Sequence, residues 1–212
     1  MIDTTRDALA HLIASFVWPL PLVVWPVPFA LPFWAIYAWS RHGERKVRFR
    51  GQSANNDDRW SWAAIDYGSK IAKAAALLAA LLTPPWVEGT GRIWLFCAGL
   101  LLMVSGVLLR RHCFKTLGDF FTFQVTVPQE HAVIRHGIYR WVRHPSYTGG
   151  MMFNVGIGLA LTNFLSVLFL ALGMAAAYIY RVHIEEHALV KVHGVAYSDY
   201  MLQTKRFIPF IF

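Results

Sequence analysis

The residues best suited to chemistry form two short clusters on either side of a long uncharged stretch. The first is GIYRWVRHPSYTGG, residues 137–150, which places Arg143, His144 and Tyr147 at the start of an apolar run. The second is RVHIEEH, residues 181–187, which begins where that run ends. An arginine can hold an anionic group through two hydrogen bonds, and a carboxylate can accept bonds from hydroxyl or amino groups. The pattern indicates a polar site at the edge of an apolar segment.

The elements that must position these clusters are apolar helices. The chain is 56% hydrophobic and 15% charged, whereas about a quarter of a soluble domain is charged. Asp, Glu, Lys and Arg are absent from residues 8–40, 74–87, 93–109 and 146–180. Uncharged apolar runs of about 18 residues or more are typical of membrane-spanning helices. The sequence therefore predicts an all-α integral membrane protein.

The last run is too long for one span and sufficient for two. We expect a helical hairpin of Ser146–Leu161 and Phe164–Tyr180, with its turn at Thr162 and Asn163. The other predicted spans are Ile93–Leu109, Trp62–Leu82 and a segment within residues 8–40 that is bent or broken by Pro19, Pro21, Pro26, Pro28 and Pro32. The count is about five spans, with four or six as alternatives.

The loops predict a single membrane domain, residues 1–212, with its basic segments on one side. Residues 1–110 supply the N-terminal spans and residues 111–212 the C-terminal core. Segments 41–59, 110–143 and 181–206 are rich in arginine and lysine, which favours the cytoplasmic side. This places the N-terminus outside and the C-terminus in the cytoplasm, in the inner membrane of a bacterium or the endoplasmic reticulum of a eukaryote. The net charge of +8 then indicates orientation and lipid contact rather than nucleic-acid binding.

In this topology the two polar clusters meet at the open, cytoplasmic end of the hairpin. A helix that begins near Pro145 and Ser146 offers free N–H groups to an anion. Arg181 and Glu185 are four residues apart, so on a continuous helix they share a face. We expect a cytoplasmic site at the membrane surface, suited to an amphiphilic substrate.

Two other kinds of site are not expected. His183–His187 reads HIEEH, which fits the H-x-x-E-H pattern of some zinc peptidases, but a catalytic zinc needs a third protein ligand and no partner motif is apparent. A phosphate-binding loop and a strand followed by G-x-G-x-x-G are also absent from the sequence. The prediction is a site with no metal and no soluble nucleotide fold.

The combination of RHPSY, an uncharged hairpin and a terminal glutamate pair resembles the isoprenylcysteine carboxyl methyltransferase family. The resemblance extends over about Leu117–Phe212. It implies a membrane enzyme that transfers a methyl group from S-adenosyl-L-methionine (SAM) to the carboxylate of a prenylated cysteine. Its partners would be membrane lipids and a lipid-like or prenylated amphiphile, without nucleic acid. The N-terminal half matches only in being apolar, which leaves the acceptor open.

The resemblance also implies roles for individual residues. Arg181 corresponds to the arginine assigned to the substrate carboxylate. The positions that correspond to cofactor-binding residues are Gln124, His131, Ala132, Val133, Ile134, Tyr139, His144, Pro145, Ser146, Tyr147 and Glu185.

Several alternatives share parts of this pattern. Phospholipid N-methyltransferases have a similar RHPxY and glutamate pair, but their amine acceptor must lose a proton before it attacks. Thiol methyltransferases are a further possibility, and sterol reductases have a similar core with a nicotinamide donor. A scaffold or transporter is disfavoured because the uncharged spans hold no ionisable residue that would mark a pathway.

Overall fold

The chain is predominantly helical in the residues that the computed structural model describes, which are 21–24, 27–48, 59–118 and 133–207. This part of the chain contains no β-strand, only one isolated bridge between Val142 and Lys205. Its α-helices are α1 (Val27–Arg48), α2 (Arg59–Leu82), α3 (Thr90–Leu117), α4 (Pro145–Ala160), α5 (Phe164–His193) and α6 (Val195–Gln203), and a short 3-10 helix lies at Gly137–Arg140. The all-α prediction is confirmed.

The predicted hairpin is present as α4 and α5. Helix α4 begins at Pro145, and Asn163 caps α5 by accepting a hydrogen bond from the Ser166 backbone N–H at 3.0 Å. Helix α5 does not end near Tyr180 but continues to His193. A helix of 30 residues is about 45 Å long, whereas the hydrocarbon core of a bilayer is about 30 Å thick. The C-terminal turns of α5 therefore extend beyond the apolar segment and carry the second polar cluster.

Close packing of α3 against α4 depends on glycine. A Cβ atom added at Gly106 would lie 2.5 Å from the carbonyl oxygen of Gly149, and one at Gly156 would lie 2.7 Å from that of Gly99. Small residues at such positions let two helix backbones approach closely. From the sequence, the glycines of α4 could have admitted either a helix or a ligand. The structure assigns Gly149 and Gly156 to contact with α3.

Two of the described helices, Thr90–Leu117 and Phe164–His193, are long and apolar enough to cross a membrane. The proline-rich N-terminal run is interrupted as predicted, with a turn at 21–24 and a helix that begins at Val27 and passes through Pro32. Helices α1 and α2 pack onto α3 and α5 respectively. The count of five spans and the orientation of the termini stay predictions.

The hairpin turn is tied to the loop between α2 and α3, at the end of the bundle away from the polar clusters. Asn163 Nδ2 donates to Thr83 Oγ1 at 2.7 Å and to the Pro84 carbonyl oxygen at 3.1 Å. The backbone N–H of Trp86 donates to the Thr162 carbonyl oxygen at 2.8 Å. Asn163 therefore caps one helix and joins two loops.

We expect Asn163→Ala to lower the free energy of unfolding by about 2 kcal/mol, because it removes a cap worth about 1 kcal/mol and leaves buried groups without partners. The measurement is the midpoint of thermal unfolding in detergent, followed by tryptophan fluorescence. Asn163→Ser should recover part of the loss, since serine also caps helices. Glu88→Ala, in the same exposed loop, is the control. An unchanged midpoint for Asn163→Ala would contradict the assigned role.

Candidate functional site at the open end of the hairpin

The entry into α4 is held by the segment that follows α6. The backbone N–H of Arg143 donates to the Lys205 carbonyl oxygen at 2.8 Å, and that of His144 donates to the Arg206 carbonyl oxygen at 3.0 Å. Pro145 then occupies the first turn of α4, where its missing N–H costs nothing. The C-terminal segment thus fixes the direction from which RHPSY enters the helix.

Glu186 lies at the centre of a buried ionic cluster. Its Oε1 accepts a hydrogen bond from Arg143 Nε at 2.9 Å and lies 3.3 Å from His144 Nε2. Its Oε2 accepts hydrogen bonds from Arg206, at 3.0 Å from Nε and 2.9 Å from Nη2. The cluster therefore joins α4, α5 and the segment after α6 at the open end of the hairpin.

The Glu186 carboxylate is stabilised in its ionised form. Burial alone would raise its pKa, but hydrogen bonds from His144, Arg143 and Arg206 outweigh burial and lower the pKa from 4.5 to about 2. Both oxygens already have partners, and only 5% of the side chain is exposed. Glu186 therefore has little capacity left for a ligand and acts as the anchor of the cluster.

Glu185 has a different environment, although it is the adjacent residue. Its Oε2 accepts a hydrogen bond from the Tyr147 hydroxyl at 2.8 Å, and its Oε1 lies 3.9 Å from His144 Nδ1, beyond hydrogen-bond distance. The Glu185 side chain is 30% exposed. Of the two glutamates, Glu185 is the one that can still accept hydrogen bonds from a bound molecule.

Arg181 lies one helical turn before Glu185, on the same face of α5. It is buried, with 3% of its surface exposed, and its positive charge acts on the nearby Tyr147 hydroxyl. The Tyr147 ring packs on Tyr178 of α5 with ring centroids 5.0 Å apart. Tyr147 is thus the point where α4 meets both the cationic and the anionic residue of α5.

A second ionic pair supports the first turn of α4 from the opposite side. Arg110 of α3 donates through Nη1 to the Ser146 carbonyl oxygen at 3.1 Å, and its Nη2 lies 3.0 Å from Glu44 Oε1 of α1. Neither Arg110 nor Glu44 is among the site residues predicted from sequence. The sequence offers two signals for them: Arg110 is the first charge after an uncharged run, and Glu44 is the one acid among the basic residues of segment 41–50.

The structure brings together five of the predicted site residues: His144, Pro145, Ser146, Tyr147 and Glu185. Arg181 lies at the same end of the hairpin, one helical turn before Glu185. Tyr139 is buried beside them, and its carbonyl oxygen accepts a hydrogen bond from the Tyr200 hydroxyl. Val133 and Ile134 are half-buried before the 3-10 helix. Gln124, His131 and Ala132 lie outside the described residues.

Three residues important for this geometry were given no role of their own from sequence. Glu186, Arg143 and Arg206 form the ionic cluster, and Arg143 also donates to the Met201 carbonyl oxygen at 3.0 Å. Arg143 and Glu186 lie within the patterns that drew attention to their neighbours. Arg206 had no local signal, because its role depends on α6 folding back onto α4.

The fold and the site together define a class: an all-α apolar bundle with a charged site at one end of a helical hairpin. This arrangement places charged residues where the apolar part of the bundle ends. Residues 99–191 match the sequence model of the isoprenylcysteine carboxyl methyltransferase (ICMT) family, which confirms the resemblance over a segment that contains α4 and all but the last two residues of α5.

Individual relatives agree with the family match. The chain is 34% identical over 120 residues to a protein-S-isoprenylcysteine O-methyltransferase of Tribolium castaneum, covering 56% of this chain and 43% of that protein. It is 31% identical over 120 residues to protein-S-isoprenylcysteine O-methyltransferase A of Arabidopsis thaliana, covering 56% of this chain and 61% of that protein. The chain thus spans about half the length of these relatives.

A solved structure supports the same architecture. The eukaryotic intramembrane Ras methyltransferase ICMT superposes on this chain with a TM-score of 0.52 at 27% sequence identity. The superposition covers 75% of this chain and 55% of that chain. The similarity therefore extends beyond the matched C-terminal segment into the N-terminal helices.

Proposed function

We propose that this protein is a SAM-dependent methyltransferase that methylates the carboxylate of an isoprenylcysteine-like amphiphile at the membrane surface. The observation that carries the proposal is the meeting of Arg181, Glu185 and Tyr147 at the open end of the hairpin, within the segment that matches the family. The predicted topology places this end on the cytoplasmic side, where the donor is available.

The residues present fit the methyl donor. Glu185 keeps acceptor capacity, and such a carboxylate can bind ribose hydroxyls or the amino group of the amino-acid portion. Tyr147 and His144 present aromatic surface beside it, with ring centroids 5.8 Å apart. When bound, SAM supplies an electrophilic methyl group on a positively charged sulfur.

The acceptor side requires orientation more than acid–base chemistry. A carboxylate is already ionised near neutral pH, so it can act as a nucleophile without a general base. Arg181 can hold it through two parallel hydrogen bonds. Correct orientation and exclusion of water can supply a large part of the rate. The buried position of Arg181 suits this role, since a water-poor site strengthens its interaction with a carboxylate.

The direct test of donor binding is calorimetric titration of the purified protein with S-adenosylhomocysteine. We expect Tyr147→Ala and His144→Ala each to weaken binding by about tenfold or more, equivalent to about 1.4 kcal/mol. Tyr147→Ala is the cleaner variant because His144 also contacts the Glu186 cluster. Tyr180→Ala, at an exposed position of α5, is the matched control. Unchanged affinity in both folded site variants would contradict the placement of the donor.

The acceptor is identified by transfer of a labelled methyl group. Prenylcysteine analogues with a free carboxylate should be labelled, and the same analogues with a blocked carboxyl group should not. A membrane lipid extract is the parallel substrate. Labelling of phospholipid amines with no labelling of prenylcysteine would favour the phospholipid N-methyltransferase alternative.

A further inference from the structure

The structure contains a pair of histidines that the proposed methyl transfer does not use. His183 and His187 lie one turn apart on α5, in the part of the helix that extends beyond the apolar segment. Both side chains are exposed, and their rings pack edge to face with centroids 4.4 Å apart. Two imidazoles are thus adjacent on a solvent-facing surface.

The pair lies on the opposite side of α5 from the candidate site. Successive residues of an α-helix are rotated by about 100°. The direction midway between His183 and His187 is therefore about 160° away from the direction midway between Arg181 and Glu185. Burial agrees with this, since Arg181 is buried and both histidines are exposed. A ligand on the histidines would not contact the donor or the acceptor.

The zinc-peptidase interpretation of HIEEH is excluded by the position of its glutamate. In H-x-x-E-H the acid would be Glu186, and both of its oxygens are held by Arg143 and Arg206. Glu186 therefore does not face the histidines as a general base for a metal-bound water. The two imidazoles keep their own coordinating capacity, independent of this glutamate.

Two histidines at i and i+4 on a helix can coordinate one metal ion from one face. Zinc–nitrogen bonds are 2.0–2.1 Å, so the two ligating nitrogens must lie roughly 3 Å apart. Exposed side chains can rotate to meet this requirement, and the adjacent rings need little movement. Imidazole suits copper, nickel and zinc, whereas magnesium and calcium prefer oxygen ligands.

We propose that His183 and His187 form a two-histidine site for a divalent transition-metal ion on the outer face of α5. Among the described residues there is no group of three or more His, Cys, Asp or Glu side chains that could hold a metal. The site therefore has two protein ligands, with water in the remaining positions. Its effect is to link two successive turns of α5 outside the apolar segment.

The test is calorimetric titration of the untagged full chain in detergent with CuCl₂, ZnCl₂ and MgCl₂. We expect one equivalent of Cu²⁺ to bind more tightly than Zn²⁺, following the usual order of divalent affinities, and no binding of Mg²⁺. His183→Ala and His187→Ala should each weaken binding by about tenfold or more, because each removes one of two ligands. His193→Ala, on the same helix but on a different face, should bind metal as the wild type does.

A second measurement separates this site from the proposed function. Titration of His183→Ala/His187→Ala with S-adenosylhomocysteine should give the wild-type affinity, whether or not metal is present. Metal binding that survives in this double variant, or no Cu²⁺ or Zn²⁺ binding by the wild type, would overturn the metal site. If S-adenosylhomocysteine does not bind the wild type, that result counts against the methyltransferase proposal. It does not bear on the metal site, which the metal titration alone decides.

Discussion

Arg181→Lys should reduce turnover by about ten- to a hundredfold while leaving the affinity for S-adenosylhomocysteine nearly unchanged. Lysine keeps the positive charge but cannot form two parallel hydrogen bonds with a carboxylate. A hydrogen bond to a charged group is worth about 1.5–3 kcal/mol, and each 1.4 kcal/mol corresponds to a factor of ten in rate. The measurement is the initial rate of labelled-methyl transfer to a prenylcysteine analogue, with donor affinity from calorimetry.

The control for this experiment is Arg140→Lys. Arg140 lies at the same end of the molecule but is exposed, with its guanidinium over the Trp141 ring at 4.5 Å, so its replacement should leave turnover unchanged. A fully active Arg181→Lys enzyme would refute the carboxylate assignment. An amine acceptor has no reason to contact Arg181, so that result would raise the phospholipid alternative.

Glu186→Gln should lower the free energy of unfolding by about 3 kcal/mol. The substitution leaves Arg143 and Arg206 without their shared anion, and removing one partner from a buried ion pair costs about 3–5 kcal/mol. For a chain of this size the thermal midpoint should fall by roughly 6–12 °C. The measurement is tryptophan fluorescence during heating in detergent, at one scan rate for all variants.

Two further variants show whether the effect belongs to Glu186. Asp199→Asn removes an exposed carboxylate from α6, so the thermal midpoint should not change. Glu185→Gln should weaken donor binding and change the midpoint little, because Glu185 is partly exposed. Equal midpoints for Glu186→Gln and the wild type would contradict the anchoring role.

The Glu186 contribution should also depend on pH. Its pKa in the folded protein is about 2, lowered from 4.5, so the stabilisation is complete above about pH 4.5 and is lost as the pH falls toward 2. The difference in thermal midpoint between the wild type and Glu186→Gln should be constant from pH 6 to 8. This difference should become smaller below about pH 4.5. A difference that became larger as the pH fell would contradict the prediction.

The sequence by itself determined the helical elements that carry the site. Helix α4 begins at Pro145 because proline favours the first turn of a helix, and the hairpin turns before Phe164 because Asn163 caps the next helix. These are local effects, governed by residues a few positions apart. The apolar runs are also visible in sequence, because a bilayer requires long uncharged segments.

The proximity of the two polar clusters follows from the order of the helices along the chain. A hairpin must bring the residues before its first helix close to those after its second, and the contacts of His144 and Tyr147 with the glutamate pair agree with this. The length of α5 was underestimated, because the predicted boundary followed the end of the apolar run. Helix formation continues through charged residues until Gly194, whose positive φ of 54° ends it.

Only the tertiary structure determined which role each site residue has. Glu185 and Glu186 are adjacent in sequence, but Glu186 faces Arg143 and Arg206 while Glu185 faces Tyr147. Adjacent residues of a helix point in directions about 100° apart, so the identity of their neighbours depends on which helices pack there. The contact of Arg110 with Glu44 and with the first turn of α4 likewise joins three helices. Pairings between distant segments depend on the packing of the whole bundle, which no local pattern in the sequence specifies.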